Sequence, residues 1–463
     1  MKSPFQKISN KHLNIIIVGA GKIGVALIEK LTAEGHDVTI IDNNPSKLQT
    51  ISNMYDIMGV HGNGASYSVQ MEAGINNANL LIAVTGSDEL NLLCCTIAKQ
   101  FENCSSIARV RTPDYSTEAP YIRKKLGLAM IINPELEAAR EISRIIFLPT
   151  ALEVTAFAHS HVELIKLKVP ETSALNNIQL SDVRKKSPTD FLICAVERDG
   201  KVHIPAGNFV IQADDIVSIA IARKDITTTL NNLGLKTNTV KNCMIIGGGK
   251  VPYYLATLLI NAGISVKIIE QNKERCETLS VLLPKAIIIN GDGTDEELLK
   301  EEGIKETDAF VPLTGIDEEN IMLTLFAKQV SDAKVITKIN RMSFNSVIPS
   351  LDLGSVIYPR FIVSETIVAY ARALSNSINS NVETLYHMFD GRVEAIEFHI
   401  KEASHITNIP LIDLKLKNNL LICFISRNGN VFIPSGNDVI MEGDFVTLVT
   451  THTGFGDIDD ILK

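Results

Sequence analysis

The chain has 463 residues, more than one hydrophobic core usually organises, so several domains are expected. Its formal net charge of −9 argues against a nucleic-acid-binding protein, which normally carries a basic face. No run approaches the roughly 18 to 20 apolar residues that span a bilayer, so we expect a soluble protein that reaches a membrane only through a partner.

A glycine-rich turn lies near the start of the chain, between an apolar run and a helical segment. In order, its residues are Gly19, Ala20, Gly21, Lys22, Ile23 and Gly24. In a dinucleotide-binding unit the first glycine permits the tight turn, the second lets the backbone approach a pyrophosphate, and the third lets the helix pack on the sheet. Asp42 ends the next apolar run and can accept hydrogen bonds from a ribose diol while repelling a 2′-phosphate. The turn therefore predicts a nucleotide site that favours NAD over NADP.

Short apolar runs alternate with helical segments as far as residue 133, which predicts six strands in a parallel, doubly wound sheet. Such sheets bind ligands at the carboxyl ends of their strands. Residues at the ends of the third, fourth and fifth strands are expected to line the same crevice: Gly62, Asn63, Thr85, Gly86 and Arg109. The sequence leaves open whether Arg109 faces a phosphate or is a solvated charge at the end of its strand.

A long helix is predicted from Pro134, followed by a small strand-rich lobe. Apolar residues recur at helical spacing until Pro149 ends the pattern. Residues 162–169 then alternate between apolar and polar, and residues 191–204 indicate a hairpin with a turn at Asp199 and Gly200. The first half of the chain thus ends in a small α+β lobe.

The second half repeats the first at an offset of about 228 residues. ICFISRNGNVFIPSG, from Ile422, matches ICAVERDGKVHIPAG, from Ile193, and residues 236–239 are interpreted as a linker between the halves. The fold class predicted is α/β, with two tandem Rossmann-like parallel-sheet domains, each followed by a small strand-rich α+β domain. The expected boundaries are a Rossmann domain at 12–133, a helix and small lobe at 134–234, a second Rossmann domain at 240–358, and a second helix and small lobe at 359–454.

The second glycine turn departs from the first at its third glycine. Pro252 stands where Gly24 stands in the first turn. Proline is tolerated in the first turn of a helix, but its ring would lie where helix and sheet approach, so the sequence leaves nucleotide binding here open. The other residues expected at this second crevice are Gly247, Gly248, Gly249, Lys250, Glu270 in the place of Asp42, Gly291, Asp292, Thr314, Gly315 and Lys338.

Patterns typical of catalysis or metal binding are not found. A hydride-transferring enzyme needs an acid or base near the nicotinamide, and the nearest candidate, His61, is replaced by Asn290 in the second half. The sequence His159-Ser160-His161 lacks a carboxylate or cysteine cluster at ligand spacing. Seven scattered cysteines indicate buried, reduced thiols. We therefore expect no enzyme activity and no resident metal; the alternative is an NAD-dependent oxidoreductase with duplicated domains.

Several motifs in combination resemble those of the tandem regulators of potassium conductance, the RCK-domain family. They are VGAGKIG, IIDNNP, GNG, VTGSDELN and INPELEAAREI in the first half, with GDGTDEELL and IPSGNDVI in the second. The resemblance spans about residues 13–449. It implies a cytoplasmic regulatory subunit that is peripheral to the inner membrane and assembles into a ring, as a homotetramer, beneath a potassium transporter subunit of the TrkH/TrkG type.

The same resemblance implies binding of NAD(H), with ATP or ADP as further candidates, and no chemistry on the nucleotide. It also implies that the helix beginning near Pro134 is a crossover or hinge between lobes. The alternative for that helix is packing only within its own subunit.

Overall fold

The computed structural model describes residues 12–101, 103–157, 162–183, 189–235, 240–340, 347–348, 351–375, 382–389 and 391–463. Two features discussed from the sequence lie outside these residues: the linker at 236–239 and the sequence His159-Ser160-His161. No helix among the described residues is long and apolar enough to cross a bilayer.

The first repeat opens with a six-stranded parallel sheet. Its strands are β1 (Asn14–Val18), β2 (Asp37–Asp42), β3 (Met58–His61), β4 (Leu80–Ala83), β5 (Ser105–Arg109) and β6 (Met130–Ile132). The helices between them are α1 (Lys22–Ala33), α2 (Pro45–Tyr55), α3 (Tyr67–Glu72), α4 (Asp88–Ala98), α5 (Pro113–Thr117) and α6 (Ala119–Leu126). The strand order β3-β2-β1-β4-β5-β6 reverses between β1 and β4, which places a ligand crevice at the carboxyl ends of these two strands.

A long helix, α7 (Pro134–Phe147), leads from this sheet into a small antiparallel lobe. The strands of the lobe are β7 (Ala151–Phe157), β8 (Val162–Lys168), β9 (Ile178–Gln179), β10 (Phe191–Arg198), β11 (Lys201–His203), β12 (Val210–Ile211) and β13 (Ile216–Ala222), and its helices are α8 (Leu180–Val183) and α9 (Ile226–Asn232). Five strands form a sheet in the order β11-β10-β13-β8-β7, and β9 pairs with β12. The hairpin predicted at Asp199 and Gly200 is present, and both residues have positive φ.

The second repeat has the same plan. Its strands are β14 (Asn242–Ile246), β15 (Ser265–Glu270), β16 (Ile287–Asn290), β17 (Ala309–Pro312), β18 (Lys334–Lys338) and β19 (Ser355–Ile357), ordered β16-β15-β14-β17-β18-β19. Its helices are α10 (Lys250–Asn261), α11 (Lys273–Leu282), α12 (Glu296–Glu301), α13 (Asp317–Val330) and α14 (Pro359–Ser375). The second small sheet contains β20 (Val382–Met388), β21 (Val393–His399), β22 (Leu420–Arg427), β23 (Asn430–Phe432) and β24 (Phe445–Thr450). The predicted fold class is confirmed.

The two repeats exchange their small lobes. One continuous core joins Ile165 of the first small lobe to Ile245 of the second parallel sheet. Another joins Ile17 of the first parallel sheet to Ile396 of the second small lobe. The two long helices make the exchange, because α7 packs along α10 and α14 packs along α1. The helix that begins at Pro134 therefore crosses from one repeat to the other within the chain.

Candidate nucleotide crevices

The first glycine turn joins β1 to α1 and has little freedom. Gly19 has a φ of 110°, in the region that favours glycine, and its N–H donates to the Ile41 carbonyl oxygen at 2.8 Å. A Cβ on Gly24 would lie 2.0 Å from the Gly19 carbonyl oxygen, so a side chain there requires the turn to shift. A Cβ on Gly21 would meet nothing within 4 Å. The backbone before Lys22, the first residue of α1, is thus open to a ligand.

Asp42, at the end of β2, fastens this turn. Its Oδ2 accepts a hydrogen bond from the N–H of Ala20 at 2.6 Å, and its Oδ1 accepts one from the N–H of Asn44 at 2.8 Å. Each carboxylate oxygen has two lone pairs, so both retain capacity for a ribose hydroxyl. Ala20 and Ile23, the apolar residues of the turn, are both buried.

The remaining small and polar residues of the first crevice lie at the same sheet edge. Gly62 donates its N–H to the Asp42 carbonyl oxygen at 3.0 Å, and the Asn63 side chain accepts from the N–H of Ala65 at 3.0 Å. Thr85 donates its N–H and its hydroxyl to Asn91 Oδ1, at 2.8 and 2.7 Å. A Cβ added to the neighbouring Gly86 would meet nothing within 4 Å.

Arg109 lies at the end of β5 and is paired with a residue of α7. Its Nη2 donates to Glu135 Oε1 at 2.8 Å, and its side chain is only 16% exposed. Burial lowers the pKa of this guanidinium, while the nearby Glu135 carboxylate opposes that shift. Arg109 is therefore not a solvated charge, and a phosphate at this position would compete with Glu135.

Asp88 and Arg111 organise the rim of this crevice, and neither was assigned to it from the sequence. Asp88, 3% exposed, accepts hydrogen bonds at Oδ2 from the N–H of Arg111 at 2.9 Å and from the N–H and hydroxyl of Thr112 at 2.8 and 2.7 Å. Burial acts to raise the pKa of Asp88, but these hydrogen bonds hold it below its ordinary value. The Arg111 guanidinium donates to the Gly86 carbonyl oxygen. A usable signal was the recurrence of Asp88 as Asp317, 229 residues later.

The second glycine turn is fastened in the same way as the first. Gly247 has a φ of 100°, and Glu270 accepts from the N–H of Gly248 at 2.5 Å and from the N–H of Asn272 at 2.7 Å. Pro252 is buried near the start of α10, which begins at Lys250. A Cβ on Gly249 would meet only the Pro252 ring, at 3.9 Å. Pro252 therefore does not disrupt the hydrogen bonds between Glu270 and the second turn.

Two cations contact the backbone around the second turn: Lys338, which the sequence predicted there, and Arg275, which it did not. Arg275 donates from Nε to the Gly248 carbonyl oxygen at 2.5 Å, a contact that the sequence did not reveal. Lys338, at the end of β18, donates to the Leu313 carbonyl oxygen at 3.1 Å, and burial lowers its pKa to about 8. Each cation is thus held by a backbone carbonyl oxygen in the second turn or at the end of the neighbouring strand β17.

The other residues expected at the second crevice also lie at the ends of the strands. Gly291 donates its N–H to the Glu270 carbonyl oxygen at 3.0 Å, and Asp292 accepts from the N–H of Thr294 at 2.9 Å. Thr314 donates its N–H to Asn320 Oδ1 at 2.9 Å, as Thr85 does to Asn91, and a Cβ on Gly315 would meet nothing within 4 Å. Among the residues described, no group of three or more His, Cys, Asp or Glu side chains could hold a metal ion.

Two parallel-sheet domains of the dinucleotide-binding type, each followed by a small antiparallel lobe, place the chain among proteins built from duplicated nucleotide-binding units. The family model described as the TrkA-N domain matches residues 15–134 and 243–359, and that of the TrkA-C domain matches residues 164–234 and 395–463. The Trk system potassium uptake protein TrkA of Haemophilus influenzae is 31% identical, and that of Vibrio alginolyticus 33%; each match covers 94% of this chain and 95% of the relative. The chain therefore belongs to the TrkA family of potassium uptake proteins, which confirms the resemblance found in its motifs.

Among solved structures, the chain is similar to the GsuK channel bound to NAD. The TM-score is 0.63 at 16% sequence identity, over 96% of this chain and 78% of that chain. The structure of the GsuK RCK domain gives the same TM-score and identity, and the match covers 93% of that chain. At this level of identity the likeness concerns the fold, which is that of tandem RCK domains.

Proposed function

We propose that the chain is a nucleotide-sensing regulatory subunit of a Trk-type potassium uptake system. The observation that carries the proposal is the fastened glycine turn, which occurs once with Asp42 and again with Glu270. Open backbone at Gly21, before the amino terminus of α1, suits a pyrophosphate, because the N–H groups and the dipole of a helix start favour anions. The GsuK channel, of similar fold, carries NAD, which makes NAD(H) the leading ligand; ATP and ADP are further candidates.

The two crevices favour different nucleotides in this proposal. In the first, Asp42 would accept from the ribose hydroxyls and repel a 2′-phosphate, which selects NAD over NADP. In the second, Arg275 and Lys338 bring two cations to the glycine turn. Additional phosphate charge is favoured beside cations, so ADP or ATP is the better fit there.

Regulation needs differential binding and no turnover of the nucleotide. A ligand shifts an equilibrium between two shapes by its difference in affinity for them, and a coupling of about 1–3 kcal/mol changes affinity about 5- to 150-fold. Because α7 and α14 cross between the repeats, closure of a crevice would move the small lobe packed beneath it. We infer that this movement is passed to a membrane potassium transporter at the cytoplasmic face of the inner membrane.

Assembly into a ring of four chains is the remaining part of the proposal. Leu93 on α4 is 50% exposed, and Met322, its equivalent on α13, is 66% exposed. The resemblance to the RCK-domain family carries this part of the proposal, and an exposed apolar residue at the same position of both repeats suits a contact that is repeated around a ring. Light scattering at micromolar concentration should give about four times the monomer mass of 50.7 kDa, and a monomer alone would exclude the ring.

Isothermal titration with NADH, NAD, ATP and ADP tests the nucleotide sites, with the stoichiometry recorded per chain. We expect dissociation constants below about 1 mM and no consumption of the nucleotide. Oxidation of NADH with a small carbonyl acid would instead support the oxidoreductase alternative. Absence of binding by all four nucleotides would reduce the parallel sheets to a scaffold and reject the proposal.

A further inference from the structure

Tyr254 connects the second crevice to the first. It lies near the start of α10, five residues after Gly249, and is 7% exposed. Its hydroxyl leaves its own repeat: it lies 2.9 Å from the Arg111 carbonyl oxygen and 3.1 Å from Ser116 Oγ, and it accepts from Asn133 Nδ2 at 3.0 Å. The helix that follows the second glycine turn is thus hydrogen-bonded to the segment that follows β5 of the first sheet.

The groups that Tyr254 contacts belong to the rim of the first crevice. Arg111 donates its N–H to Asp88 at 2.9 Å and its guanidinium to the Gly86 carbonyl oxygen. A displacement of the Arg111 backbone would therefore move the loop between β4 and α4, where Gly86 faces open space.

A second route runs through Asn133, which caps α7. Its Oδ1 accepts from the N–H of Leu136 at 3.0 Å, while its Nδ2 donates to the Tyr254 hydroxyl. The next residues of that turn include Glu135, the partner of Arg109. Tyr254 thus contacts two parts of the first repeat. One is the segment at Arg111 on the rim of the first crevice, and the other is the start of α7, the helix that carries Glu135.

The electrostatics across this boundary agree with the geometry. Burial lowers the pKa of Lys338 in the second crevice and is the largest influence on it. Two charges of the first repeat also act on this pKa: Lys22 of the first glycine turn lowers it, and Glu135 raises it. Charges of the first repeat therefore act on Lys338 of the second crevice, so an anion bound in the first crevice would act on Lys338 as well.

The connection is one-sided. The residue equivalent to Tyr254 in α1 is Ala26, which is buried and has no side-chain donor. The tyrosine ring fills the boundary between α10 and the first repeat, and Tyr253 packs edge-on against it with ring centroids 5.4 Å apart. The hydroxyl is the only polar group that this side chain brings to the boundary.

We propose that Tyr254 is a positioning residue that couples nucleotide occupancy of the two crevices. This inference rests on the proposed function, because it requires nucleotide to bind at both. A pyrophosphate held by the first N–H groups of α10 fixes the start of that helix, and the Tyr254 hydroxyl transmits the constraint to Arg111 and to the loop at Gly86. By linkage, occupancy of the first crevice alters affinity at the second by the same factor.

The test uses the full chain carrying Asp42→Ala, which weakens the first crevice about tenfold, with NADH and ADP as separate probes at concentrations that fill only the second crevice. Calorimetry establishes which probe binds, and amide hydrogen exchange then follows residues 111–116 of the first crevice. With Tyr254 present, the bound probe should slow exchange of this segment about fivefold or more, the lower end of ordinary coupling. In Tyr254→Phe the slowing should fall below about twofold, although the probe still binds.

Tyr253→Phe is the matched control, because it removes a hydroxyl one residue away and leaves Tyr254 in place; it should respond as the chain with both tyrosines does. Equal slowing in Tyr254→Phe, or none with Tyr254 present, overturns the coupling and leaves the proposed function standing. Binding by the unaltered chain but not by Asp42→Ala also overturns the coupling, since the second crevice then takes no nucleotide. If the unaltered chain binds neither NADH nor ADP, the coupling is overturned, and the proposed function is overturned with it only if NAD and ATP also fail to bind.

Discussion

The two glycine turns have the same backbone fastening and different surroundings. Asp42 and Glu270 each accept from an N–H of their turn, at 2.6 and 2.5 Å. Gly24 lies so close to the first turn that a Cβ would meet a carbonyl oxygen at 2.0 Å, whereas Pro252 occupies the equivalent position of the second turn. A carboxylate on the next strand, rather than the third glycine, is the feature common to both turns. The duplicated backbone was kept while the residues around it diverged.

The two long crossover helices, α7 and α14, also differ in the charged residues around them. Arg372 of α14, 7% exposed on its side chain, donates to Glu34 of the first repeat at 2.6 Å and to Glu394 at 3.2 Å. Across the strand pair β20–β21, His387 stands opposite Glu394; at the equivalent register of β7–β8, Ala156 stands opposite Glu163.

The pKa values of the two equivalent carboxyls follow from these neighbours. Burial acts to raise the pKa of Glu394, but His387 and Arg372 hold it below its ordinary value. For Glu163 burial is the dominant influence, and its pKa is raised. The carboxyl beside α14 is thus held in its charged form by two cations, whereas burial shifts the equivalent carboxyl beside α7 towards its neutral form.

Removal of the buried arginine of α14 should give the largest effect. Arg372→Met removes the arginine from Glu34 and leaves Glu394, 1% exposed on its side chain, with His387 as its remaining cation; breaking such a buried pair costs about 3–5 kcal/mol. Urea unfolding measures the loss. The comparison variant is Arg144→Met in α7; this half-buried arginine forms no ion pair with another described residue and acts on Glu163 only from a distance, so its loss should cost less, about 1 kcal/mol. Equal losses in the two variants would contradict the difference between the two helices.

A pH-dependent contribution to stability is expected from His387. Burial alone would lower its pKa, but the carboxylates of Glu365 and Glu394, 3.4 and 3.3 Å from its ring nitrogens, raise it to about 9. Because the folded pKa exceeds the unfolded value of 6.5, the stabilisation is complete below about pH 6.5 and lost as pH rises through 9. It amounts to roughly 3 kcal/mol at most.

The unfolding free energies of the unaltered chain and His387→Gln, compared at several pH values, test this contribution. The difference between them should shrink from about pH 6.5 to pH 9. A difference that stays constant across that range would show that His387 does not bind its proton in the folded state.

The third glycine of the first turn should be less tolerant than its equivalent in the second. Gly24→Ala forces a Cβ against the Gly19 carbonyl oxygen and should cost about 1–3 kcal/mol of unfolding free energy, as overpacking does. Pro252→Ala, where a Cβ already exists, should change stability by less than about 1 kcal/mol. Thermal unfolding of both variants measures the two losses of stability. A larger loss in Pro252→Ala than in Gly24→Ala would contradict this prediction.

The smallest predicted effect concerns nucleotide affinity at Asp42 and Glu270, the carboxylates proposed to bind ribose. Asp42→Ala should weaken NADH binding at the first crevice about tenfold, near 1.4 kcal/mol, because a charged hydrogen-bond acceptor is removed. Glu270→Ala should change the dissociation constant of NADH at the first crevice by less than about twofold. It should instead weaken the binding of ADP at the second crevice. Calorimetry resolves the two events, and an unchanged NADH affinity in Asp42→Ala would remove Asp42 from the site.

The fold was predictable from sequence because its signals are local. Strand-turn-helix order around Gly19 and the recurrence of the same order at Gly247 suffice for the two parallel sheets. The crevice was only partly predictable. The pairing of Arg109 with Glu135 joins the end of β5 to the start of α7, and the contact of Tyr254 with Arg111 depends on the packing of α7 along α10; no local pattern encodes either. Exchange of the small lobes escaped prediction for the same reason.

Potassium flux through a Trk-type transporter, reconstituted in vesicles with and without this chain, tests nucleotide sensing most directly. We expect NADH, ADP or ATP to change the flux about fivefold or more when the chain is present. The nucleotide concentration needed for the response should rise about tenfold when the chain carries Asp42→Ala together with Glu270→Ala, although the chain still assembles. Flux that ignores all three nucleotides, or that responds equally with the doubly altered chain, would contradict a nucleotide-sensing regulator.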